Sequence, residues 1–284
     1  MNAAASGIAA HDIPLTAADG HHCSLLARVP AAPTGALLWL PALGVAARHY
    51  LPLADTLAAR GVAVFVHEWR GNGSSNLRAS RAGDWGYREL LGTDLPLSQA
   101  AAERHLPGVA LRIGGHSLGG QLAACHLGRH PDAFAALWLV GSGTPYWRTF
   151  PAPQRYLLPF FYRFAPWLAD RRGYLPGRRL GFGGDEARSL IHDWARVGLS
   201  GRYRAAGWPV DLEAGMREVR VPIHGVLLQQ DWLAPETSLR ALMAKMPAAH
   251  PARVDVLGHE ALGTRADHFA WMKQPQAVAD ALLA

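Results

Sequence analysis

Near the middle of the chain, Gly115-His116-Ser117-Leu118-Gly119 has the Gly-x-Ser-x-Gly spacing of a nucleophile elbow. In that motif a strained strand-to-helix turn exposes a serine hydroxyl, and the small flanking residues let the backbone close tightly. Such a hydroxyl is a weak nucleophile at neutral pH. It needs a histidine to take its proton and a carboxylate to orient that histidine, in the chain order serine, acid, histidine. Asp231 fits the acid, because it follows the apolar run Ile223 to Leu228 and precedes Pro235 by four residues. The alternative for Asp231 is an ordinary helix N-cap. Asp211 and Asp255 are worse placed, one before a strand and one inside it. Two histidines compete as the base: His259 directly follows Gly258 after the last strand, and His268 lies in Asp267-His268-Phe269-Ala270-Trp271. Strand-end position alone slightly favours His259. His116 reads as a residue that fills space beside the nucleophile.

The elements that would position these groups are legible as short, nearly continuous apolar runs. Ala36-Leu40, Val62-Val66, Val109-Ile113, Ala136-Val140, Ile223-Leu228 and Val254-Leu257 have the pattern of parallel strands covered on both faces. Tyr50 to Arg60 carries Leu53 and Leu57 on one stripe and stops at Gly61, and Ser117 to His130 is closed by Pro131; both are expected to be helices. A C-terminal helix is expected from near Lys273. Two weaker runs, Ile13-Leu15 and Ser24-Val29, suggest a leading antiparallel hairpin. This alternation predicts an α/β fold with a mostly parallel central sheet flanked by helices.

From Thr144 to about Arg220 no strand is evident, and Trp, Tyr and Phe recur among Pro and Arg. A structureless loop of that length is implausible. The expected organisation is a core of residues 1–144 and 211–284, with a helical cap at 145–210 inserted after the sixth strand. Its aromatic residues either line an acyl pocket or seal the cap onto the sheet.

Composition narrows the classes further. With 284 residues, 50% hydrophobic and 18% charged, the chain can bury a large core and is not a disordered protein. The longest apolar stretch, Ala36 to Ala47, is interrupted by Pro41 and Gly44 and falls short of the ~18 residues of a membrane span. Met1 to Leu15 lacks a basic and then apolar leader, and Cys23 and Cys125 are two lone thiols, so a cytoplasmic location is expected. No spacing matches a metal-ligand set, and neither a metal nor an organic cofactor is expected. The formal charge of +6 comes from 26 arginines and only two lysines, Lys245 and Lys273. It is concentrated: residues 145–204 hold eleven arginines against Asp170, Asp185, Glu186 and Asp193. No nucleic acid partner is expected; the excess either attracts an anionic substrate or an anionic membrane surface to the cap, or is an ordinary solvated helical surface.

With these residues in place the chain resembles the α/β-hydrolase superfamily, and more narrowly the bacterial α/β-hydrolases near the serine aminopeptidase and monoacylglycerol lipase types. Pro41-Ala42-Leu43-Gly44-Val45 followed by Tyr50 is similar to that family's segment after its third strand. His67-Glu68-Trp69-Arg70-Gly71-Asn72-Gly73-Ser74 is similar to its "D-x-R-G-x-G-x-S" segment, and Asp267 to Lys273 to its catalytic "G-H-F-G-F-F-R" segment. The resemblance implies His268 as the base, with His259 second. It also implies an oxyanion hole of backbone N–H groups from Leu118 and Leu43, Ala42 being the alternative to Leu43. The family's "H-G" is Pro41-Ala42 here, and its "D-x-R-G" acid is replaced by His67-Glu68.

The activity implied is a serine hydrolase acting on small-molecule carboxylic esters of short to medium acyl length through an acyl-enzyme. An acyltransferase using the same residues and a non-catalytic binding protein on the same scaffold are the alternatives. An aminopeptidase is less expected, because no device for a free amino terminus is recognisable.

Overall fold

The computed structural model describes residues 7–284; the first six residues assigned to the core lie outside them. The leading hairpin is β1 (Ile8–Thr16) paired antiparallel with β2 (His22–Pro30), longer than the two apolar runs suggest. Alternation explains the length. Cys23, Leu25, Ala27 and Val29 point to the core and the residues between them do not, so polar positions belong to the strand as much as apolar ones.

The fully buried β3 (Gly35–Leu40) and β4 (Val62–Val66) follow, then β5 (Leu111–His116) and β6 (Leu137–Val140). After a two-stranded ribbon of β7 (Tyr174–Pro176) and β8 (Asp185–Ala187) come β9 (Ile223–Leu228) and β10 (Ala252–Leu257). The main sheet has eight strands in the order β1-β2-β4-β3-β5-β6-β9-β10, antiparallel at β1, β2 and β4 and parallel from β4 onward. β5 begins and ends later than its apolar run. Pairing on both sides, Leu40 with Gly115 and Val140 with His116, carries the strand through two glycines of low strand propensity.

Each sheet face buries its own core. On one side Leu53 and Leu57 of helix Leu51–Ala58 and Val278 and Leu282 of helix Gln276–Leu283 pack on Trp39, Val64, Val140 and Val226. On the other, helices Leu95–His105, Leu118–Arg129 and Glu236–Met243 cover Leu38, Phe65, Ile113, Leu139 and Leu227. Each such buried side chain contributes about 1.5–3 kcal/mol. The last helix starts at Gln276, after Pro275, rather than near Lys273, where Ala270–Lys273 is a separate 3-10 turn.

The insertion between β6 and β9 is mostly helical: Gln154–Arg172, Arg188–Ser200 and Leu212–Arg217. The β7/β8 ribbon within it was not expected; its strands of three residues are too short for an alternating pattern to show. The long helix contains Pro159 and Pro166 and ends at Gly173, whose φ of 87° suits a glycine stop. Its inner side packs Tyr162 against Trp194 at a ring separation of 4.9 Å, and Phe161 against Phe182 of the ribbon loop at 5.2 Å. No helix among the described residues is long and apolar enough to cross a membrane.

Candidate active site

Ser117 stands between β5 and helix Leu118–Arg129 with φ 54° and ψ −120°, and among the described residues it alone has a positive φ without being glycine. That conformation costs an L-residue about 1–3 kcal/mol and persists only where its surroundings enforce it. They do so here through the main chain. The Ser117 N–H donates to Val140 O at 3.2 Å, and its carbonyl accepts from the N–H groups of Gly120 and Gln121 and from Ser142 Oγ at 2.7 Å. A side chain at Gly119 would collide with the Leu40 carbonyl, so the turn can press against the end of β3 only with glycine there.

Asp231 and His268 meet from separate loops, with His268 Nδ1 2.7 Å from Asp231 Oδ2 and both residues buried. Asp231 Oδ1 accepts from the backbone N–H groups of Leu233 (2.9 Å) and Ala234 (3.2 Å), which fixes which oxygen faces the histidine. The histidine loop is held by Asp267 Oδ1, which accepts from Phe269 and Ala270 N–H, and by Trp271 Nε1 donating to His268 O. Gln230 N–H to Ala266 O joins the two loops. The His268 ring packs on that of His116, the residue before Ser117, with centroids 4.5 Å apart. The structure thus brings Asp231 and His268 together beside the elbow. His259 opens the short helix His259–Leu262 and is exposed, Asp211 caps helix Leu212–Arg217, and Asp255 pairs with His224 at 2.8 Å.

The loop after β3 is pinned at three points. Pro41 O accepts from Trp69 Nε1 (2.8 Å), Ala42 N–H donates to Tyr50 Oη (2.9 Å), and Ala47 N–H donates to buried Glu68 (3.0 Å). Ala42 is therefore committed to Tyr50, while the Leu43 and Leu118 N–H groups have no acceptor among the described residues. Tyr50 Oη has one proton to give, and it goes to His116 Nδ1 at 2.8 Å. Burial, with the neighbouring His268, holds the His116 pKa well below the usual histidine range, so His116 is a neutral acceptor here rather than mere filling. Glu68 supplies a carboxylate that ties Ala47 to Ser74, so the departure at "D-x-R-G" leaves an acid in place. Arg70 of the same segment holds Asp94 with two hydrogen bonds, 2.7 and 2.8 Å.

Tyr50→Phe would strand the Ala42 N–H and His116 Nδ1 inside the protein. Urea unfolding should show a loss of about 2–6 kcal/mol, at roughly 1–3 kcal/mol for each unsatisfied group; no loss would mean that the relay is not holding the loop.

The Hydrolase_4 family model, described as serine aminopeptidase S33, matches residues 31–197, which takes in the loop after β3, the elbow and most of the insertion. The chain belongs to this family of α/β hydrolases. No curated protein sequence matches it. Among solved structures this hydrolase is similar to a hydrolase from Pseudomonas aeruginosa (TM-score 0.64, 16% identity, 99% of this chain and 98% of that one). It is also similar to an esterase from Pyrococcus furiosus (0.59, 14%, 97% and 89%) and to Est1E from Butyrivibrio proteoclasticus, solved with ferulic acid bound (0.59, 16%, 93% and 95%).

Leu43 and Leu118 of the hydrolase share a cavity of about 10 Å³, room for roughly one water, with Trp69, Trp85, Leu190 and Glu186. Glu186 of β8 and Leu190 form one wall. Gly44 faces Gly184 backbone to backbone, and a side chain on Gly44 would land on the Gly184 nitrogen. Glu186 lies in this wall, its Oε1 accepting from Gly184 N–H at 2.7 Å. Burial pushes its pKa up to about 7, against the opposing hydrogen bond from Gly184. Sequence reading counted Glu186 only as one of the cap's acids; nothing local marks it as buried.

The folded protein thus keeps this carboxyl protonated to about pH 7, whereas the unfolded chain ionises it near 4.5. The stability it contributes is fully present below pH 4.5 and is lost as pH rises to 7. The difference is about 3 kcal/mol. Glu186→Gln should therefore gain up to about that much over the wild type at pH 8 compared with pH 4, by urea unfolding at both; an equal effect at the two pH values would contradict a buried ionisation.

Proposed function

We propose that this α/β hydrolase is a serine hydrolase cleaving small-molecule carboxylic esters through an acyl-enzyme. Ser117 Oγ attacks the ester carbonyl as His268 takes its proton, and Asp231 holds the imidazole in the tautomer that can accept it. The tetrahedral oxyanion is stabilised by the N–H groups of Leu43 and Leu118, each worth about 10²–10³ in rate. His268 then protonates the leaving alcohol, and water releases the acid by the reverse sequence.

The observation that carries this reading is the buried 2.7 Å Asp231–His268 contact beside a serine in the elbow conformation. The Leu43 and Leu118 amides, which have no acceptor among the described residues and belong to two residues lining one cavity, support it. The likeness to esterases is consistent with it but concerns the fold. Residues 145–210 act as a cap, with Glu186 of β8 and Leu190 sharing a cavity of about 10 Å³ with Leu43 and Leu118. Within the range of short to medium acyl groups, a preference for the short end is part of this reading.

The test is fluorophosphonate labelling together with kcat/KM for p-nitrophenyl esters of graded acyl length. Labelling of one serine and a decline with acyl length are expected. Absence of both labelling and turnover would overturn the proposal, and consumption of ester only when an acceptor alcohol or thiol is added would make the protein an acyltransferase.

A further inference from the structure

Helix Gln154–Arg172 is apolar on two opposite sides. Tyr162, Ala165 and Ala169 on its inner side are buried against the rest of the insertion. Its outer side carries Tyr156, Leu157, Phe160, Phe164 and Trp167, which at about 100° per residue fall within one stripe and run for roughly 16 Å along the helix. They stay 63%, 65%, 73%, 45% and 52% exposed. A protein that meets only water seldom leaves so many large apolar groups side by side, and the stripe takes no part in the site at Ser117.

The charge around the stripe is mostly positive. Arg163, Arg171 and Arg172 are exposed on the same helix and form no ion pair among the described residues. The helix's single acid, Asp170, is engaged with His192 at 2.9 Å. Arg171 lies over the Trp167 ring (5.5 Å) and Arg155 over the Tyr156 ring (6.0 Å), so cationic heads sit directly at the aromatic faces. Immediately past Gly173, Arg178, Arg179 and Leu180 continue the same exposed mixture.

We propose that this face docks the hydrolase on an anionic phospholipid surface. The helix lies in the plane of the interface, with its aromatic rings at the headgroup and acyl boundary and its arginines against lipid phosphates. Charge decides between this and a second copy of the chain. A two-fold contact sets the same patch against itself, which would face these arginines with their own copies and with only Asp170 on the helix to offset them. A lipid surface offers both an apolar layer and the opposite charge.

The test is co-sedimentation of the full chain with phosphatidylglycerol–phosphatidylcholine vesicles and with phosphatidylcholine vesicles alone, plus sedimentation velocity without lipid. Binding to the anionic vesicles, weakened by salt, is expected. Arg163→Gln, Arg171→Gln and Arg172→Gln combined should weaken it about 100-fold. Phe160→Ser with Trp167→Ser should weaken it at every salt concentration. Neither variant should alter far-ultraviolet circular dichroism or turnover of a soluble ester, which separates this proposal from the catalytic one. Failure of the wild type to bind anionic vesicles, or binding that both variants leave unchanged, would overturn it. A concentration-dependent dimer abolished by Phe160→Ser would assign the face to a second copy.

Discussion

Replacing Ser117 with alanine is expected to lower kcat for an activated ester about 10⁶-fold and to leave the fold in place. The expectation rests on a division of labour within one residue. Every hydrogen bond that holds the elbow uses the Ser117 main chain: Val140 O on its N–H, and Gly120, Gln121 and Ser142 on its carbonyl. Alanine keeps all of them, and it meets the same positive φ that serine already tolerates. Only the Oγ is lost, and with it the bond-forming atom. A residual rate about 10³ above water should persist, because the Leu43 and Leu118 amides remain. The measurements are kcat, circular dichroism and probe labelling on both proteins. A variant keeping more than about a hundredth of the wild-type kcat would mean that another group is the nucleophile.

Asp231→Asn is expected to cost about 10⁴ in kcat with little change in stability. The backbone N–H groups of Leu233 and Ala234 point at Oδ1 of residue 231 and demand an acceptor there. Asparagine must meet that demand with its carbonyl oxygen, so its NH₂ takes the place of Oδ2, facing His268 Nδ1. A donor in that place forces Nδ1 to accept and moves the imidazole proton to Nε2, where the base needs a lone pair. The shape of the site survives and its proton is in the wrong place. Because tautomer rather than folding is at fault, the pH–rate profile should change along with kcat. An Asp231→Asn protein with an unchanged profile and rate would remove Asp231 from the mechanism.

How much of this was readable beforehand follows from the range over which each signal acts. The elbow was legible because its strand, turn and helix are contiguous, and the parallel sheet because strands buried on both faces are apolar throughout. The choice between His259 and His268 was not settled by position, because both follow the last strand; only resemblance favoured His268. Tyr50 read as the start of a helix and His116 as packing. Their hydrogen-bond relay to Ala42 joins residues far apart in sequence, and no local pattern encodes it.

The aromatic residues of the insertion had two readings, a pocket lining or a seal. The structure divides them: Tyr162 and Trp194 seal the interior, and Tyr156, Phe160, Phe164 and Trp167 face outward. A helix apolar on both sides, with two prolines inside, lacks the single stripe by which amphipathic helices are recognised. The arginine excess divides as well. Arg188 and Arg196 are paired with Asp84 and Asp193, whereas those on the long helix are not.

The contact between Gly44 and Gly184 has a consequence for how such an enzyme can diversify. At the seam between the loop after β3 and the ribbon, main chain meets main chain, with the Glu186 carboxyl holding the Gly184 N–H, so the fit depends on glycine at 44 and on few side chains. Under the proposed function, substitutions elsewhere in the insertion would act on what reaches Ser117 and leave the amides of Leu43 and Leu118 in place. On that reading, new specificities would arise on one side of the seam while the chemistry on the other side stayed unchanged.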